Sequence, residues 1–104
     1  MRSIIVTIIG RDRPRILADV ASIIADVGGN IEDIRGHTMF IERGKKIANI
    51  SMIITGENIG AIYQKLREKL QKFAEENKLV IQIYPVDHFI EEKEEIPPFR
   101  EEEE

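Results

Sequence analysis

Four charged side chains crowd one short stretch of this 104-residue chain: Arg11, Asp12, Arg13 and Arg15, set between Gly10 and Ile16 and interrupted by Pro14. Guanidinium groups offer paired N–H donors that match a carboxylate or a phosphate, and the Asp12 carboxylate can receive an ammonium group. That is binding chemistry for a small molecule. Loop arginines are ordinarily just solvated, so the cluster gains meaning only from the elements that aim it. Little else along the chain invites chemistry. The two histidines, His37 and His88, fall on different segments with no cysteine near either, so no metal site and no cofactor are expected. No Ser, His and Asp combination and no pair of carboxylates stands out, and the acidic end of the chain is expected to be too mobile to hold catalytic geometry.

The elements that position the cluster are read from its surroundings. Ser3 to Ile9 is an apolar, β-branched run that predicts a buried strand. Ile16, Leu17, Val20, Ile23, Ile24 and Val27 recur at helical intervals, which predicts a helix over about Pro14 to Val27 with all six on one sheet-covering face. Asp12 stands where an N-cap is wanted, Pro14 is tolerated in a first turn, and Gly28-Gly29 supplies a left-handed stop. The free N–H groups and positive dipole end of such a helix open onto the Gly10 loop, where an anion would sit.

Asn30 to Glu42 follows as a longer strand in which Gly36 is expected to mark a bulge or a close backbone approach. A turn at Arg43-Gly44-Lys45 leads into a strand from Ile47 to Thr55, with Ala48, Ile50, Met52 and Ile54 on one face. Asn58 can cap a second helix carrying Ile59, Ile62, Leu66, Leu70 and Phe73 inward, and Asn77 ends it. Leu79 to Pro85 is the last strand. The helices are thus expected near 14–28 and 58–77. The order β-α-β-β-α-β predicts an α+β, ferredoxin-like sandwich over residues 1–86, with four antiparallel strands, both helices on one face, and the first and third strands in the middle.

The composition, 42% hydrophobic and 33% charged, fits one globular domain. Cysteine is absent, which removes disulfides and thiol chemistry. The chain has neither an apolar run long enough for a membrane span nor a secretory leader, so the expected location is the cytoplasm. Abundant Ile, Glu and Lys fit a thermophilic source. Residues 1–86 carry 13 Lys and Arg against 10 Asp and Glu, a net +3, whereas 87–104 carry 2 against 9, a net −7. A body so weakly basic is a poor candidate for nucleic acid. The segment from 87 to 104 reads as a flexible, solubilising acidic tail, although Phe89, Ile90, Ile96 and Phe99 give it something to dock across an oligomer interface or on the open sheet face.

Several functions share this topology. An RNA reader would need aromatic residues on its central strands, and KIANISMII has none. A metal-transfer domain would need paired cysteines. A small acyl-phosphate hydrolase would need an arginine in a Gly-rich phosphate cradle after the first strand; GRDRPR has the arginines but one glycine, and this stands as the enzyme alternative.

The run Gly10-Arg11-Asp12-Arg13-Pro14, the apolar helix after it and Gly28-Gly29-Asn30-Ile31 resemble the ACT domain family, the small-molecule regulatory modules of amino-acid metabolism. The resemblance covers about residues 3–86 and is close to the branch of the glycine cleavage system regulator and stand-alone ACT proteins. It implies a non-catalytic, allosteric module: a homo-oligomer, most simply a two-fold dimer, that binds an amino acid or related carboxylate between protomers and modulates its own assembly or a metabolic enzyme. The family's ligand contacts map onto Gly10, Asp12, Arg13, Pro14, Asn30 and Ile31, with Arg11 and Arg15 completing the cationic cluster. Where the family usually has glycine after the proline, this chain has Arg15. Two readings stay open: Arg15 fills the pocket and leaves a ligand-free assembly or docking module, or its guanidinium holds the anion.

Overall fold

The computed structural model describes residues 1–42 and 45–87. Its elements are β1 (Ser3–Arg11), α1 (Ile16–Asp26), β2 (Asn30–Glu42), β3 (Lys45–Thr55), α2 (Ile59–Asn77) and β4 (Val80–Val86). The four strands form one antiparallel sheet in the order β2-β3-β1-β4, so the first and third strands are central, as the right-handed crossovers require. This is the ferredoxin-like βαββαβ arrangement expected from the periodicities.

Period-two alternation divides the sheet into two unlike faces. Ile4, Val6 and Ile8 of β1 lie beside Ile54, Met52 and Ile50 of β3, and all but the partly buried Ile50 are fully covered. Against them pack Ile16, Val20 and Ile24 of α1 and Ile62, Leu66, Leu70 and Ala74 of α2, closed at the β4 side by Leu79 and Ile81. At about 1.5–3 kcal/mol for each large side chain buried, this layer is the principal source of stability. The opposite face carries Ile5, Thr7 and Ile9 beside Ile53, Ser51 and Asn49, where Thr7 and Ser51 hydroxyls lie 3.3 Å apart.

Three details differ from the sequence reading. The first strand runs on to Arg11, and the Asp12 N–H still bonds the Lys46 carbonyl at 2.9 Å. Helix α1 therefore starts later, at Ile16, with Arg15 in the cap position. Asp12 is not the N-cap, because it is committed to the end of the strand. In β2 the ladder slips between Ile31 and Asp33 and again between Phe40 and Glu42, not at Gly36; Gly36 does mark a close approach, since a Cβ there would lie 3.2 Å from the Asn49 carbonyl oxygen. Gly28 takes φ +90 and stops α1 as expected. The Arg43-Gly44 part of the expected turn and residues 88–104 of the expected acidic tail lie outside the described residues.

Candidate ligand-binding site

The loop from Gly10 to Arg15 joins a central strand to the helix that covers it, and its six residues take different tasks. Gly10 is on the helix-covered face of β1, where a Cβ would run into the Leu79 side chain. Its small size thus admits Leu79 to the core. Arg11 is exposed at the end of β1 on the other face. Arg13 turns toward α2: one guanidinium nitrogen donates to Asn77 Oδ1 at 2.7 Å, the other donates to the Pro14 carbonyl at 2.9 Å and lies 3.9 Å from Asp19, and the group sits 5.9 Å from the Phe73 ring centre. Asn77 in turn donates to the Phe73 carbonyl at 2.9 Å. Arg13 is a tie between the loop and the far end of α2.

Pro14 and Arg15 make the turn that starts the helix. Arg15 has φ 75 and ψ 1, the left-handed conformation that costs a side-chain-bearing residue about 1–2 kcal/mol and suits glycine. Its side chain is 74% exposed and reaches Asp19 Oδ1 at 3.5 Å. No side chain caps α1. The first helical bond runs from the Asp19 N–H to the Arg15 carbonyl at 2.8 Å, so the N–H groups of Ile16, Leu17 and Ala18 precede it and carry the positive end of the helix dipole.

Those three residues line a hollow of about 560 Å3, together with Ala21, with Ile34 of β2 and Ile50 of β3, and with Asp12, Arg13 and Arg15 at its rim. The floor is apolar and the charges sit around the mouth. Leu17 and Ile34 are 40% and 43% exposed. Leu17 is therefore not on the buried face of α1, contrary to the sequence reading: six apolar residues span a wider arc than the sheet can cover, and Leu17 is left at its edge. Ile34, Ile50, Ala18 and Ala21 escaped the sequence reading of the site altogether. An apolar residue beyond the width of the core stripe was the available signal.

Asn30 and Ile31 are at the other end of the sheet. Gly10 stands opposite Ala48 and Asn30 opposite Thr55, seven residues apart along β3 or about 24 Å. The Asn30 amide donates to Glu32 Oε2 at 2.5 Å, and the Thr55 hydroxyl donates to the same oxygen at 3.0 Å. This triad straddles the β2 bulge, and Asn30 lines a separate hollow of about 560 Å3 shared with Gly28, Gly56, Asn58 and Lys65. Within one chain, Asp12, Arg13 and Arg15 are brought together, while Asn30 and Ile31 do not join them. Among the described residues no cluster of three or more His, Asp or Glu is placed to hold a metal ion, and no helix is long and apolar enough to cross a membrane.

Residues 4–71 match the family described as ACT domain. Among curated proteins nothing matches the sequence. Solved structures with the same fold include an unknown protein from Galdieria sulphuraria, 21% identical, with a TM-score of 0.74 over 82% of this chain and 49% of that one. A protein named as a glycine cleavage system transcriptional repressor is 26% identical, with a TM-score of 0.66 over 85% of this chain and 49% of that one. The ligand-free regulatory subunit of aspartate kinase from Thermus thermophilus is 19% identical, with a TM-score of 0.60 over 81% of this chain and 51% of its own. The chain spans about half the length of each of these three proteins.

Proposed function

We propose that this chain, which belongs to the ACT domain family, is a non-catalytic regulatory module that binds an amino acid or related small carboxylate at the start of α1. The observation that carries the reading is the uncapped helix N-terminus opening onto an apolar hollow with charge at its mouth. The N–H groups of Ile16, Leu17 and Ala18 receive the carboxylate, Asp12 the ammonium group, and the floor of Leu17, Ile34 and Ile50 an apolar side chain. Arg15 adds a cation for the anion. Gly10, Arg11, Arg13 and Pro14 shape the loop rather than touch the ligand.

The module works as a homo-oligomer, most simply a two-fold dimer. Support comes from β2, an edge strand whose backbone is open to pairing, with the exposed Ile34 and Leu17 beside it. Asn30 and Ile31, about 24 Å away within the chain, contribute to a site only when a second copy presents them. Ligand regulates through unequal affinity for two packing states, in this chain or in an enzyme that it contacts. Residues 1–86 are the working domain and 87–104 an appendage to it.

The acyl-phosphate hydrolase alternative is less well supported, since Arg13 is already tied to Asn77 and Phe73 and Gly10 is covered by Leu79. A thermal-shift screen of the amino acids and common metabolite anions tests the proposal on wild type, Arg15→Gly and Asp12→Ala. A stabilising ligand whose effect is weakened in Asp12→Ala is the expected result. If Arg15 blocks the hollow, the response appears only in Arg15→Gly. Silence from wild type and Arg15→Gly alike, with the oligomer intact, would end the sensing reading in favour of a ligand-free assembly module.

A further inference from the structure

We propose that the open face of the sheet is an association surface in its own right, on which a second copy of this chain lies face to face, independently of the α1 hollow and of the β2 edge. The strand register sets the side chains of that face in rows across the sheet. A central polar row holds Arg35, Ser51, Thr7 and Gln82. On one side of it lie Asp33, Ile53, Ile5 and Tyr84, and on the other His37, Asn49, Ile9 and Val80. Val80 and Tyr84 are 57% and 46% exposed, and Ile9 is exposed between them, so the two flanking rows leave a large apolar patch uncovered among the described residues.

The pattern is self-complementary. A two-fold axis lying between two stacked sheets, across the strands and over the polar row, turns each flanking row onto the other, with β2 over β2 and β4 over β4. Tyr84 then meets Val80 of the second copy, Ile5 meets Ile9, and the Asp33 carboxylate meets the His37 imidazole, each contact occurring twice. Only Ile53 meets a polar side chain, Asn49. The central row falls on itself, and its groups suit that place. Gln82 Oε1 accepts from its own Tyr84 hydroxyl at 2.9 Å, which leaves the amide N–H groups for Gln82 of the second copy, and the Thr7 and Ser51 hydroxyls already lie 3.3 Å apart. Arg35 would face Arg35, but its guanidinium is drawn to Asp33 at 3.2 Å, so the two cations lean off the axis to opposite sides. Arg11 and Lys45 are exposed beyond the flanking rows, at the rim. The area is sufficient as well. Four strands are about 19 Å wide and the nine residues of β1 about 30 Å long, so two such faces together cover about 1,100 Å2, the size at which an interface becomes specific. The backbone edge of β2 stays open in this packing, so both contacts are compatible in one assembly.

The lack of cysteine makes a direct test simple. Position 82 lies on the axis, so two Gln82→Cys chains stand about 10 Å apart across stacked sheets, whereas a dimer paired through β2 edges alone holds its β4 strands about 34 Å apart. The full chain at micromolar concentration is treated with a short-armed bismaleimide, and the covalent dimer is read on a denaturing gel. Gln82→Cys is expected to cross-link to a dimer, and Val80→Asp in the same chain to abolish that product. Co-expressed Val80→Cys and Tyr84→Cys chains are expected to cross-link several-fold more than either alone, because position 80 faces position 84 and neither faces itself. Failure of Gln82→Cys to cross-link, a product that survives Val80→Asp, or equal yields from the mixed and single chains each overturns the proposal. None of these results depends on a ligand, so they stand apart from the test of the α1 site.

Discussion

Replacing Arg15 separates backbone strain from side-chain contact at the mouth of the hollow. Its left-handed backbone costs about 1–2 kcal/mol with any β-carbon present. Glycine removes that cost but loosens the unfolded chain, returning about 0.4–1 kcal/mol. Arg15→Ala keeps the strain and loses the exposed Arg15–Asp19 pair, an i,i+4 contact worth about 0.3–0.5 kcal/mol. Arg15→Gly loses the same pair, so the difference between the two variants isolates the backbone. Arg15→Gly should be the more stable by about 1 kcal/mol, with a melting temperature about 4–8 °C higher than that of Arg15→Ala. Urea unfolding of both, at one protein concentration and with equal m-values, gives the number. Equal stability, or Arg15→Gly the weaker, would refute the strained turn and with it the account of why glycine suits this position.

The tie at Arg13 should show as coupling: Arg13→Ala and Asn77→Ala each destabilise by about 1–2 kcal/mol, and a double-mutant cycle returns an interaction of about 1 kcal/mol in urea unfolding. Gly10→Ala should cost about 1–3 kcal/mol through overpacking on Leu79 and recover part of it in combination with Leu79→Ala, as read by thermal denaturation. Leu66→Ala, at a fully buried contact of α2, should cost about 2–5 kcal/mol, close to the whole margin of a small domain, and shift the urea midpoint accordingly.

Most of the architecture was written in local pattern. The alternation of Ile4, Val6 and Ile8 and the three-and-four spacing of Ile62, Leu66 and Leu70 each name a face, and the two faces fit together only in a sandwich. The site was less legible. Asp12 has the right chemistry for a cap, but whether it caps depends on whether its own N–H is taken, and that is decided by Lys46 on another strand. Arg13 looks like Arg15 in the sequence, yet Asn77, 64 positions away, takes up one of its guanidinium nitrogens at 2.7 Å and ties it to α2. Asn30 and Asp12 sit at opposite ends of the sheet because β2 runs antiparallel to β3, and no local signal reports that distance. The floor formed by Leu17, Ile34 and Ile50 joins three elements, and only the completed fold assembles it.

A titration of isotope-labelled full-length chain with single amino acids, followed by backbone amide NMR, tests the binding reading most directly. Saturable shifts are expected, centred on the amides of Ile16, Leu17 and Ala18, with Ile34 moving alongside them, and lost in Asp12→Ala. No response to any amino acid in either wild type or Arg15→Gly would contradict it, as would shifts confined to Asn30, Gly56 and Asn58 at the other end of the sheet.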